Sequence, residues 1–204
     1  MSIAGHYLVN TSNLGQAEDI LGKAYGRVTI APNGAEAEPW IRVWRTRVGP
    51  ATLDDAEISS SIRYELDTPN GVVLCRVRAG RVDLRTDDHV GSYGRGDVMA
   101  VVGDGVTMTG VLADARCDIV SFDPSVLDDG AVAARHVDCP AAIKRVASPV
   151  SASAGQLVAD VIVHIRHFIA NNPQVSGEPL VVASAARYLL ATAMTAFPRS
   201  AFLA

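Results

Sequence analysis

The residue types that could hold a metal or carry a nucleophile are few: five histidines and three cysteines in 204 residues. His6, His89, His136, His164 and His167 do not form the His-x-His pair with a converging carboxylate that a metal site on neighbouring strands requires. His89 stands alone in the turn TDDHVGSYG and is expected to be solvated. His164 and His167 are three apart on a predicted helix, which is half a site. His164 borders an apolar stripe and His167 points away, so both read as surface residues. No metal and no cofactor is expected. Cys75, Cys117 and Cys139 are widely spaced, form no CxxC pair and have no histidine neighbour, so they read as free thiols in a reducing compartment. There is no Gly-x-Ser-x-Gly. The glycines of GSYGRGD precede the strand VMAVVG rather than a helix, so they make a turn and not a phosphate loop. Asp54-Asp55, Asp87-Asp88 and Asp128-Asp129 are assigned to turns, solvated. Nothing here supports catalysis, and the chain is expected not to be an enzyme.

What remains is binding. In AEISSSIRYEL the residues Ala56, Ile58, Ser60, Ile62, Tyr64 and Leu66 share one face, with Glu57, Ser59, Ser61, Arg63 and Glu65 on the other. Further on, Cys75 and Val77 alternate with Arg76 and Arg78. A mostly apolar lining with a few polar groups is how small-molecule sites are built. Ser60, Ile62, Tyr64, Cys75 and Val77 are therefore expected to face a cavity, with Trp44 at its rim. The same residues could equally fill a solid core. Trp40 and Trp44 share a parity and could wall a pocket or seal its mouth.

The elements that would position these residues come in three blocks. TSNLGQAEDILGKAYG is a short amphipathic helix, with Asn13 and Gln16 as a capping box and Gly26 as the C-terminal cap. APNGAEAEP after it reads as a loop. From Trp40 to about Pro124 the period becomes 2: after AEISSSIRYEL come VVLCRVR, RVDLRTD, DVMAVVG, VTMTGVL and CDIVSFD. Turn chemistry at Asn70-Gly71, Ala79-Gly80, Gly94 to Gly96, Gly103 to Gly105 and Asp114 separates them. This spacing predicts an antiparallel sandwich or barrel. The fold class is mainly β with helices. In the third block, Leu157, Val158, Val161, Ile162, Ile165, Phe168 and Ile169 form one stripe opposite Gln156, Asp160 and His167. After a turn at Pro173 and Gly177 the run Leu180 to Phe197 completes an antiparallel helical hairpin. The expected division is an N-terminal arm over 1–10, a helix plus ligand-binding barrel over 11–150, the hairpin over 151–198 and a linker over 199–204.

A net charge of −4 and no cluster of Lys or Arg argue against a surface built for nucleic acid. MSIAGHYLVN is not a signal peptide. Leu180 to Phe197 is long enough to span a bilayer, but Arg187 sits at its centre, where a charge is costly. A packed soluble helix is expected, with no membrane partner. On its helical wheel Val182, Ala186, Leu189, Leu190, Ala193, Met194 and Phe197 make a docking arc. The opposite arc holds Val181, Ser184, Arg187, Tyr188, Ala191, Thr192 and Thr195, with Arg187 the lone charge. A solvated face carries more charge than that. A two-fold homodimer through Val181, Ser184, Arg187, Tyr188, Ala191 and Thr195 is expected.

The order of these motifs resembles the N-terminal sensor domain of AraC-type transcriptional regulators, in particular the actinobacterial AraC-binding-like, cupin-related group. The opening helix TSNLGQAEDILGKAYG resembles that group's first motif, and IRVWRTRVG (Ile41 to Gly49) its R-V-R-x-G edge. Gly80, Val82, Leu84, Gly96 and Asp97 match a G-x-V-x-L … G-D strand pair, and Phe122 to Leu127 an F-D-P-x-x-L turn into a helix. The resemblance implies a cupin-like barrel that binds a small-molecule effector, helices that dimerise, and a cytoplasmic protein. It implies contact with DNA only through a C-terminal module of two helix-turn-helix units, which the residues after Phe197 are too few to form. FPRS then corresponds to the linker. The metal-binding histidines of enzymatic cupins are missing, and no residue identifies the effector. A stand-alone, metal-free cupin-like enzyme or isomerase is the alternative, and a purely structural dimerisation domain with a filled barrel is a third reading.

Overall fold

The computed structural model describes residues 5–34, 38–67, 71–103, 107–122 and 145–198. The expected helix after Phe122, the pair Asp128-Asp129, His136, Cys139 and the linker over 199–204 lie outside these residues. So do Asn70 and the turn residues 104 and 105.

The chain runs β1 (His6–Thr11), α1 (Leu14–Tyr25), β2 (Val28–Pro32), β3 (Trp40–Val48), β4 (Ala51–Ser59), β5 (Ser61–Asp67), β6 (Gly71–Arg85), β7 (Val90–Tyr93), β8 (Val98–Gly103), β9 (Thr107–Phe122) and β10 (Arg145–Ala147). Helix α2 (Ala152–His164) continues as a π-helix over Ile165–Ala170 and is followed by α3 (Pro173–Ser176) and α4 (Pro179–Ala196). The fold is mainly antiparallel β with a few helices, as the period-2 pattern requires. Four strands escaped the pattern: β1, almost all of it within the expected arm; β2, whose last residues Ala31 and Pro32 begin the expected loop; β7, inside the expected turn TDDHVGSYG; and β10, beyond the expected strand region.

Among the described residues ten strands form one sheet folded into two leaves. The first leaf runs β1-β3-β4-β9-β6-β8-β10, using residues 116–122 of β9 and 71–79 of β6. The second runs β2-β5-β9-β6-β7, using residues 107–113 of β9 and 81–85 of β6. Three residues make the bend between them, two of them, Gly80 and Asp114, at expected breaks and the third, Ser60, inside an expected strand. Ser60 (φ 70°), Gly80 (φ 70°) and Asp114 (φ 46°) all have left-handed backbones. The Ser60 N–H donates to the Asp114 carboxylate at 2.8 Å, and the Asp114 N–H donates back to the Ser60 carbonyl at 3.1 Å. A Cβ on Gly80 would lie 2.2 Å from the Asp114 carbonyl oxygen, so only glycine fits this crossing. Hence AEISSSIRYEL, expected as one strand, splits at Ser60 into β4 and β5. By contrast VVLCRVR and RVDLRTD fuse into β6, and VTMTGVL and CDIVSFD into β9. No hydrogen bonds join the free edges among the described residues, so the expected antiparallel barrel is a rolled sheet that does not close.

The first leaf is apolar on both faces because it is covered on both. Val72, Leu74, Val120 and Phe122 point outward to Val158, Ile162, Leu189 and Phe197 of the helices. Val73, Cys75, Val77 and Cys117 point inward, with Ile30, Ile62 and Val82 of the second leaf. The run VVLC (Val72 to Cys75) shows this double burial as consecutive apolar residues. The aspartates Asp54 and Asp55 are strand residues of β4, not the solvated turn residues expected; Asp87 and Asp88 are exposed in a turn.

At the helices, Ser151 caps α2 by accepting from the Ala154 N–H. The π-helix winds with i→i+5 bonds, so the apolar stripe drifts around the axis. Ile165 and Ile169 stay buried, while Phe168, expected in the stripe, is 64% exposed, and Leu157 is exposed as well. Helix α4 is long and apolar enough to cross a membrane (mean hydropathy 1.3), but its inner arc is packed on the sheet and α2.

Candidate ligand site

Between the two leaves lies a cavity of about 230 Å³, walled by apolar side chains from both leaves and roofed by Leu21, Ala24 and Tyr25 of α1. Helix α1 is placed by specific polar bonds. Asn13 accepts from the Gln16 N–H at 3.0 Å, and the Thr11 hydroxyl donates to the Gln16 side chain at 2.8 Å, so Thr11 takes up Gln16 in the expected box. The Ile30 N–H of β2 donates to Glu18 at 2.5 Å. At the last turn the Tyr25 hydroxyl donates to Asp54, a carboxylate with 0% exposure. Arg45 grips the same carboxylate through Nε at 2.8 Å and Nη2 at 2.6 Å, with its guanidinium 5.2 Å from the Tyr25 ring centre. Burial, reinforced by the Asp54 charge, pushes the Tyr25 phenol well above its ordinary range. The hydrogen bond to Asp54 raises Arg45 in turn.

The polar groups at the wall are few. Tyr64 donates weakly to the Asp83 carbonyl at 3.3 Å, and burial raises its phenol. Cys75 sits opposite Ile119, and Cys117 opposite Val77, which makes the two thiols diagonal neighbours on one face. The hydrogen bond to Cys117, together with burial, raises the Cys75 thiol well above its usual value. The Ser121 hydroxyl is buried with no protein partner, as is that of Thr52, its register partner on β4. Phenols and a thiol held protonated offer hydrogen bonds, not nucleophiles. No Asp, Glu or His side chain appears among the described lining residues.

Of the residues expected at the cavity, Ile62, Tyr64 and Cys75 line it. Val77 is fully buried on the same inward face but does not reach the cavity wall. Ser60 does not line it: the left-handed backbone commits it to the corner with Asp114. Trp44 does not either. Ile41 and Val43 point inward from β3, so Trp44 points outward, edge-on to Tyr7 with ring centres 4.7 Å apart. Trp40 shares that outer parity and bonds Asn10 at 2.9 Å. Tyr25, Asp54 and Ser121 went unread. Tyr25 meets Asp54 across 29 residues, which no local pattern reports. His89, expected to be solvated, bonds Tyr93 at 2.9 Å, and Tyr93 bonds Ser148 ahead of α2 at 3.2 Å.

A second polar group lies on the other face of the same strands. Asp118 (0% exposed) is held by Arg76 at 2.8 Å and by Arg166 of the π-helix at 2.7 Å. Arg78 and Arg166 also pair with Asp55. Arg76 and Asp118 alternate with the cavity residues Cys75, Cys117 and Ile119, so the cluster links the cavity wall to the helices.

On α4, Val181, Ser184, Arg187, Tyr188, Ala191 and Thr195 are exposed, whereas Thr192, expected beside them, is buried and donates to the Tyr188 carbonyl. Together with the exposed Leu180 they form the outer face of α4, and a groove between α4 and the π-helix is lined by His164, Ile165, Ile169 and Tyr188. Among the described residues no three His, Cys, Asp or Glu gather as a metal site.

No protein-family model and no curated protein matches the sequence. Among solved structures, the AraC-like transcriptional activator CuxR aligns over 95% of this chain and 71% of its own, at 15% identity and a TM-score of 0.66. The EutQ protein of Clostridium difficile (14% identity, TM-score 0.36) aligns over 45% of this chain and 74% of its own. A Cupin 2 conserved barrel domain protein from Salinispora arenicola (16% identity, TM-score 0.35) aligns over 47% and 85%. Along nearly its whole length, the chain shares its fold with an AraC-like transcriptional activator.

Proposed function

We propose that this chain is the effector-binding and dimerisation domain of an AraC-family transcriptional regulator. In this reading it is cytoplasmic, needs no cofactor and meets DNA only through a helix-turn-helix module outside these residues. The observation that carries the proposal is the apolar cavity, whose wall strands β6 and β9 are the ones that grip the helices. An effector pressing on Cys75 or Ile119 moves Arg76 and Asp118 on the reverse of the same strands, and Arg166 passes the shift to the π-helix. The likeness to CuxR supports the regulatory context. The outer arc of α4 supports a homodimer. Its small residues Ser184, Ala191 and Thr195 let two helices approach, and Val181 and Tyr188 are apolar surface that pairing would cover. With α4 serving that interface and the sheet, it is not a membrane anchor. The described lining residues include no pair of acid and base, which favours binding over turnover.

Native mass spectrometry of the purified chain tests both halves together. Two chains per particle, with a small molecule retained or taken up from a metabolite extract, is the expected result. Single chains that take up nothing would sink the reading.

A further inference from the structure

The cavity wall specifies the kind of molecule that fits it. Among the described lining residues none carries a charge, and the hydroxyl- or thiol-bearing ones are Tyr25, Tyr64, Cys75, Cys117 and Ser121. Tyr25 is engaged with Asp54 and Tyr64 with the Asp83 carbonyl, and the two thiols are diagonal neighbours on one face. The Ser121 hydroxyl, buried at the wall, has no protein partner. A buried hydroxyl is costly to leave unpaired, so a ligand oxygen reaching it gains a bond that water-exposed groups do not offer. The rest of the wall, including Ile41, Ile58, Leu84 and Met108, offers only apolar contact.

We propose that the cavity takes an uncharged, largely apolar small molecule bearing a single carbonyl or hydroxyl oxygen that bonds Ser121. This rests on the reading of the cavity as an effector site. A charged ligand would lose its hydration with no counter-ion at the wall, and a sugar would bury several hydroxyls against one free partner.

The test uses the whole chain and probes matched in size, read by calorimetry and ligand-observed NMR: benzyl alcohol, benzaldehyde, toluene, benzoate and glucose. Benzyl alcohol and benzaldehyde should bind, with benzoate at least about tenfold weaker and glucose silent. Ser121→Ala should weaken benzyl alcohol and benzaldehyde by about fivefold and leave toluene unchanged. Ala24→Phe, which fills the roof, should abolish all binding. Benzoate or glucose binding as well as benzyl alcohol would overturn the ligand class while leaving the effector site standing. Equal weakening of toluene by Ser121→Ala would overturn the role of Ser121, and binding that survives Ala24→Phe would overturn the location. If no probe binds, toluene included, the effector reading itself fails.

Discussion

Asp54 is the residue on which the roof of the cavity depends. Its carboxylate is fully buried and satisfied by the Tyr25 hydroxyl and two Arg45 nitrogens. Asp54→Asn strands the Arg45 charge and should cost about 3–5 kcal/mol in urea denaturation. Tyr25→Phe keeps the ion pair and removes one charge-assisted bond, so it should cost only about 1.5–3 kcal/mol. The protonated groups nearby set an alkaline limit. Cys75, Tyr25 and Tyr64 all ionise at higher pH folded than unfolded. Their contribution is complete below the unfolded values and is lost as pH rises, because the unfolded chain then releases protons that the folded chain keeps. Stability should fall from about pH 8.5 as unfolded thiols ionise, and more steeply above about pH 10 with the tyrosines. Cys75→Ala should remove part of the first decline, and unchanged stability from neutral pH to pH 10 would contradict the assignment.

The elements turn on the corner where β4, β9 and β6 bend together. Gly80 permits it, because its left-handed backbone and the nearby Asp114 carbonyl both exclude a side chain. Gly80→Ala should cost more than about 2 kcal/mol and lower the melting temperature, since neither strain nor clash can relax alone. A variant as stable as the parent would mean that the leaves can part without loss. The corner also explains what the strand pattern concealed. Alternation marked Ile58, Ile62 and Tyr64 as one face, and all three line the cavity. It included Ser60 because spacing continues through a bend that only backbone angles reveal.

For the whole molecule, the outer arc of α4 is the test of assembly. Glu at both Tyr188 and Ala191 should leave the sheet folded by circular dichroism and yield monomers in sedimentation velocity, since both positions are exposed in the single chain. Dimers that persist would move the interface to the sheet. The same substitutions made in a destabilised, unfolded protein would instead lose the strand signal, so the two outcomes separate.

Much of this architecture was legible in the chain itself, because strand alternation, helix periodicity and caps arise from neighbouring residues. Asn13 and the glycine after Tyr25 bounded α1, and the alternation of Ile58, Ile62 and Tyr64 marked an inward face. Sequence alone did not decide which face of that leaf met helices and which met space, since Leu74 and Cys75 are both compatible with burial. Nor did it join Tyr25 to Asp54, Ser121 to Thr52, or Arg166 to Asp118, pairs brought together by folding over long stretches of chain. A cavity is the volume left over when distant strands and a helix meet. Local pattern determined the strands, but only tertiary packing determined whether their side chains filled the space between them.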